Sequence, residues 1–126
     1  MRYFCRTILA ATLVIVTLMP ALAQDQRVVN VVIVDRKATG TDVEISGGTG
    51  VVRVTQGESV ELRWSTDEAT ELHLHGYNIK TKVDTDGEAV MNLKARAAGR
   101  FAIESHGFGT DHHAEKTLIY LEVLPR

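Results

Sequence analysis

His73 and His75 stand at i and i+2 in the stretch Glu71-Leu72-His73-Leu74-His75-Gly76-Tyr77, which otherwise reads as a buried β-strand. Side chains alternate across a strand, so both imidazoles share one face while Leu72 and Leu74 take the other. Cα atoms two positions apart in a strand lie roughly 6.5–7 Å from each other, close enough for two imidazoles to address one metal ion or neighbouring ions. Neutral imidazole is the commonest metal ligand and suits copper, zinc and nickel. The remaining histidines, His106, His112 and His113, fall together at a predicted strand end and in the loop after it, so all five occupy two segments. Without a metal, the first pair is the solvated face of a strand and His112-His113 is a polar loop tip.

Other residues bear on the same chemistry. Glu104 lies two positions before His106 and shares its face in a regular strand. It could bind a metal, fix an imidazole tautomer from behind, or be a solvated carboxylate. Asp111, His112 and His113 could close a site as a lid or capture metal loosely. Tyr77 is in phase with His73 and His75 and would shield them. Trp64 is in phase with Val60 and Leu62, which makes it a core residue, and Met91 alternates into the core as well. Gly76 suits a sharp change of direction or a close backbone approach. Ser105 beside His106 makes no catalytic triad, because strand neighbours face opposite sides. No nucleophile elbow, phosphate loop or paired-carboxylate arrangement occurs.

The elements that must position these residues begin after a leader. Arg2 and Arg6 form a positive n-region, Ile8 to Met19 is apolar, and Pro20-Ala21-Leu22-Ala23 ends in a small-x-small pattern. This predicts a secretory signal peptide over residues 1–23, since the apolar run is shorter than the roughly 20 residues a membrane span needs. The expected mature chain, residues 24–126, is long enough for one domain. Its 12 basic residues, the total of 14 less Arg2 and Arg6, stand against 16 acidic ones, a formal charge of −4. No basic patch argues for nucleic acid, and no membrane contact is expected after cleavage. Cys5 is the sole cysteine and lies in the leader. An exported domain without thiols must be held by an apolar core.

No helical period persists, and β-branched residues recur in short runs. Arg27 to Val34 (RVVNVVIV) reads as a first strand, nearly continuously apolar and so buried. Thr39 to Gly50 is loop-like around a short strand at Asp42 to Ile45, and a strand restarts at Val51 to Val54. Val60, Leu62 and Trp64 alternate with Glu61, Arg63 and Ser65, as in a half-buried strand. Beyond the histidine strand come an extended arm at Asn78 to Val83, a turn at Asp84-Thr85-Asp86-Gly87, and alternating strands around Met91 and Phe101. Gly107 to Lys116 reads as a loop, and Thr117 to Leu124 as the last strand. Seven or eight short strands with regular turns predict an all-β Greek-key sandwich. The imidazoles of the two segments are expected to meet at one end of it.

Three segments, QGESVELRW, HLHGYNI and AGRFAIESHGF, followed by a last strand ending in LEVLP, resemble the cupredoxin superfamily, a match running from Val51 to Pro125. His73-Leu74-His75-Gly76 also resembles the H-x-H-G motif of multicopper oxidases. Phe101 to His106 is similar to the first-domain segment carrying an H-S-H pair. The resemblance implies a cupredoxin-like sandwich in which His73, His75 and His106 fall on copper-ligand positions, with Glu104 where a histidine is expected. The departures matter too. A blue copper centre needs a thiolate that the mature chain lacks. A multicopper oxidase needs partner domains, so oxidase activity is not expected of this chain alone. Nitrogen ligands with a carboxylate suit Cu(II), with zinc as competitor, whereas Cu(I) would prefer thiolate or thioether. Copper handling or electron transfer in a periplasmic or secreted setting, with a copper-handling or redox protein as partner, is the leading expectation. A metal-free interaction or structural module and a small copper enzyme are the alternatives.

Overall fold

A computed structural model describes residues 25–126. The signal peptide expected over 1–23 lies outside the described residues. Ten strands follow in chain order: β1 (Arg27–Val34), β2 (Lys37–Thr39), β3 (Glu44–Ser46), β4 (Thr49–Thr55), β5 (Ser59–Thr66), β6 (Thr70–Leu74), β7 (Ile79–Val83), β8 (Ala89–Lys94), β9 (Gly99–Phe108) and β10 (Asp111–Leu124). They form a four-stranded sheet, β2-β1-β5-β8, and a six-stranded sheet, β3-β4-β10-β9-β6-β7. β1 runs parallel to β5 and β4 parallel to β10, and the other pairs are antiparallel. The all-β sandwich is therefore as the turn spacing predicts. No helix among the described residues is long and apolar enough to cross a membrane.

Alternation builds the core. Val29, Val31 and Ile33 of β1, Val60, Leu62 and Trp64 of β5, and Met91 of β8 point inward from the smaller sheet. Val52, Val54, Leu72, Leu74, Ile103, Leu121 and Val123 meet them from the larger one. Trp64 and Met91 are buried as their phase requires. Each fully buried aliphatic side chain stabilises the fold by about 1.5–3 kcal/mol through area removed from water.

Two expectations about the strands are corrected. β1 is buried on one face alone: Val28, Val32 and Val34 are 38, 41 and 51 % exposed, because no described residue covers them on the outer face of the smaller sheet. Burial there has period two although the residue types do not. The segment Gly107 to Lys116 is not a loop either. β9 runs to Phe108, and β10 resumes at Asp111 after a tight turn at Gly109-Thr110. One strand escaped the sequence reading altogether. β2 follows β1 through a two-residue turn in which Asp35 (φ 49°) and Arg36 (φ 58°) are both left-handed.

Arg36 is held in that conformation from several sides. Its guanidinium makes a forked pair with Glu68 at 2.9 Å, hydrogen-bonds to Asp111 at 3.3 Å, and lies 5.2 Å from the centre of the Phe108 ring. Lys116 Nζ donates to the Arg36 carbonyl at 2.9 Å. These contacts fix the tip of the β9–β10 hairpin, which carries His106.

Candidate metal centre

β6 buries Thr70, Leu72 and Leu74, so Glu71 and His73 project from the opposite, outer face of the six-stranded sheet. β9 repeats the pattern: Ile103 and Ser105 face inward, and Glu104 and His106 outward. Ser105 is buried with its hydroxyl on the Lys116 carbonyl at 3.2 Å, which leaves it no part in nucleophilic chemistry. The register sets His73 directly opposite Glu104 and brings the two outward-facing rows together. His75 lies just past the end of β6, its N–H donating to the Ala102 carbonyl at 2.9 Å, so the ladder to β9 continues one step beyond the strand.

A bulge shapes the other half of the site. Between the pairs Thr70–Phe108 and Leu72–Ser105, β9 spends three residues where β6 spends two. The extra residue falls at His106-Gly107, and such bulges re-aim side chains. Gly107 is left-handed (φ 87°), and a Cβ there would meet the Asp111 carbonyl oxygen at 2.9 Å. Thr70 Oγ1 donates to the Gly107 carbonyl at 2.6 Å and holds the bulge to β6.

The result is a patch of three imidazoles. The ring centres of His73 and His75 are 4.2 Å apart and those of His73 and His106 5.3 Å apart. One ligand nitrogen from each of the three lies within 4.8 Å of the others, the only such group of three or more histidine or acidic side chains among the described residues. Imidazoles from two distant segments therefore do converge. They do so on the open face of a sheet and not at one end of the sandwich, because the pleat of β6 and β9 directs them there. The His75 and His106 side chains are 45 and 33 % exposed.

Carboxylates approach two of the three rings. His75 Nε2 lies 2.8 Å from Glu104 Oε2, while Thr117 donates to Glu104 Oε1 at 3.2 Å. A carboxylate only accepts, so the ring nitrogen is the donor. His106 Nδ1 lies 3.6 Å from Glu115 Oε1, an ion-pair distance too long for a hydrogen bond. On the free side, His73 Nδ1 and His106 Nε2 are buried and have no partner among the described residues. Such orphaned polar atoms are costly unless something fills the gap. Desolvation, then the neighbouring His75, Lys80 and His106, pull the His73 pKa below its ordinary 6.5. That ring is neutral at physiological pH, the form that binds metal. Three nitrogen donors fit Cu(II) or Zn(II) better than a hard cation.

The other predicted residues are placed as follows. Glu104 joins the patch through His75. His112 lines a shallow groove with His106, Thr70, Glu71, Lys82 and Asp84. His112 and His113 lie where β10 spends four residues, Asp111 to Glu115, against two of β9, so neither keeps a regular ladder position. Asp111 is taken up by Arg36 and by the His113 N–H. Tyr77 does not shield the histidines. Gly76 (φ 82°) and Asn78 (φ 53°) break the strand phase, and Tyr77 packs edge-on against Phe101 at 5.0 Å with Arg96 at 5.5 Å from its ring centre. Gly76 serves both roles its type suggests, since a Cβ there would also meet the Phe101 ring at 2.6 Å. Sequence reasoning missed Glu115 and Thr117. Only the alternation of β10 could have flagged Glu115 and Thr117, and the irregular stretch before Glu115 hides it.

No family model matches the sequence, and no curated protein matches it. Solved structures do. A heme-copper terminal oxidase superposes with a TM-score of 0.56 at 16 % identity, covering 79 % of this chain and 65 % of that one. A multi-copper oxidase from Pseudomonas thermotolerans superposes at 0.51 with 18 % identity over 82 % of this chain and 31 % of its own. The fold is cupredoxin-like. A blue copper oxidase from Nitrosomonas europaea matches this cupredoxin-like sandwich as well, at 0.50 with 13 % identity, covering 81 % of the chain and 40 % of the oxidase. The chain thus spans under two thirds of each of these proteins. At such identities the likeness is one of fold.

Proposed function

We propose that this chain is an exported, single-domain copper-binding protein that holds Cu(II) through His73, His75 and His106. One observation carries the reading: three imidazole nitrogens within 4.8 Å of one another, with His73 Nδ1 and His106 Nε2 buried and unpartnered among the described residues. The superposed copper oxidases support copper over zinc, the competitor for the same donors. His112, on the groove beside His106, and His113 next to it would gather ions loosely. Residues 1–23 would direct export, and residues 24–126 would act in copper handling or electron transfer in a periplasmic or secreted setting, beside a copper-handling or redox protein. The test is Cu(II) titration of the mature domain followed by electron paramagnetic resonance. One tightly bound equivalent with nitrogen hyperfine coupling is expected, and His75→Ala and His106→Ala should each abolish it. Binding that is weak, non-stoichiometric or indifferent to both substitutions overturns the proposal.

The exposed valines on the outer face of the smaller sheet, Val28, Val32, Val34 and Val90, favour a second reading, a metal-free interaction module. Stoichiometric copper binding in the same titration removes it.

A further inference from the structure

We infer that Glu104 is a positioning residue that holds the Nε2 proton of His75, leaving Nδ1 of that ring as the nitrogen offered to a metal. The inference rests on the copper-binding reading for its purpose, but its geometry stands apart from any ion.

Glu104 Oε2 lies 2.8 Å from His75 Nε2, within the range of a charge-assisted bond. Its other oxygen is fixed by Thr117 of β10 at 3.2 Å, so the carboxylate is restrained from behind as well as in front. Its backbone faces His73 across the β9–β6 ladder, while its carboxylate reaches His75. His75 needs such a restraint more than the others do. It lies beyond the last residue of β6 and before the left-handed Gly76, and its side chain is 45 % exposed. Among the described residues, the hydrogen bonds that hold it are the backbone bond to Ala102 and this carboxylate, with the His73 ring packed beside it at 4.2 Å.

A neutral imidazole carries one proton, and the nitrogen that keeps it cannot bind metal. A hydrogen bond to a carboxylate decides which nitrogen that is, fixes the ring plane and makes the other nitrogen a better donor. Glu104 is not itself within the group of mutually close ligand atoms, which comprises the three histidines alone. It acts through His75. On His73, Nδ1 is buried and has no partner among the described residues.

The experiment reads the metal-free protein first. Long-range nitrogen–proton correlation spectra of the imidazoles, recorded at alkaline pH, should show His75 as a single Nε2–H tautomer. In Glu104→Ala the ring should become a mixture, while Glu104→Gln, whose amide oxygen can still accept, should restore the single form. Nδ1–H in the wild type, or a His75 signal unchanged in Glu104→Ala, overturns the inference whether or not copper binds. Copper titration then follows. Loss of the carboxylate should weaken binding by about 10–100-fold, with Glu104→Gln in between and the number of coupled nitrogens unchanged in pulsed paramagnetic resonance. A change in ligand number or type in Glu104→Gln would make the carboxylate a ligand and also overturn it. Absence of copper binding in every variant, with the tautomer result intact, would sink the copper proposal alone.

Discussion

His73 and His106 come from strands far apart in sequence, yet their ring centres lie 5.3 Å apart on one face of the six-stranded sheet. Their proximity depends on the β6–β9 register and on the bulge at His106-Gly107. Both rings lie on the outer side of the sheet, away from the core that holds the strands together.

Removing an imidazole should therefore cost binding and spare the fold. His73→Ala or His106→Ala should lower copper affinity by more than the 10–100-fold or so typical of an outer partner, while stability stays within about 1 kcal/mol of the wild type. Isothermal titration with copper, paired with urea unfolding of the same variants, checks both halves.

Copper should raise the melting temperature, because a ligand that binds only the folded state stabilises it by mass action. At free copper near 100 times its dissociation constant the gain is about 2.7 kcal/mol. A chelator should reverse it, and a variant with all three histidines changed to alanine should show none of it in a thermal melt.

Gly76→Ala should destabilise by about 1–3 kcal/mol, since the position is left-handed and the added carbon would press on the Phe101 ring. The turn after His75 should shift with it. Chemical denaturation would show the loss of stability, and a weaker copper isotherm the displaced ring.

Much of this could be read from residue types. Trp64, Met91, Leu72 and Leu74 announce their burial by alternation, and the H-x-H pair announces its shared face. What eluded the sequence was non-local or depended on unusual turn chemistry. Asp35-Arg36 carries none of the glycine or asparagine that ordinarily marks a two-residue hairpin with positive φ at both positions, so β2 was invisible. The β9–β10 hairpin looked like a loop because its glycines and its irregular register interrupt the alternation. Tyr77 kept the right phase only on paper, since the chain turns at Gly76. The outward placement of the site followed from the pleat, but where on the sandwich the rows would meet required the register.

Acid should loosen the fold in part through Glu68. Its bond to Arg36 holds its pKa below the ordinary 4.5, so the unfolded chain binds a proton that the folded one resists. This contribution is present in full above about pH 4.5 and is lost as pH falls through the lower folded value. Thermal melts of Glu68→Gln should lie below the wild type at pH 6, and the gap should narrow as pH falls below about 4.5.

Arg36 belongs to the hairpin at one margin of the smaller sheet, whereas Phe108 and Asp111 stand at the tip of a hairpin in the larger one. One guanidinium therefore acts as a clasp between the two layers. For the sheets to slide past each other at that corner, its fork on Glu68 would have to open at the same moment as its grip on the hairpin tip, so the histidine patch inherits its steadiness from a residue in the opposite layer.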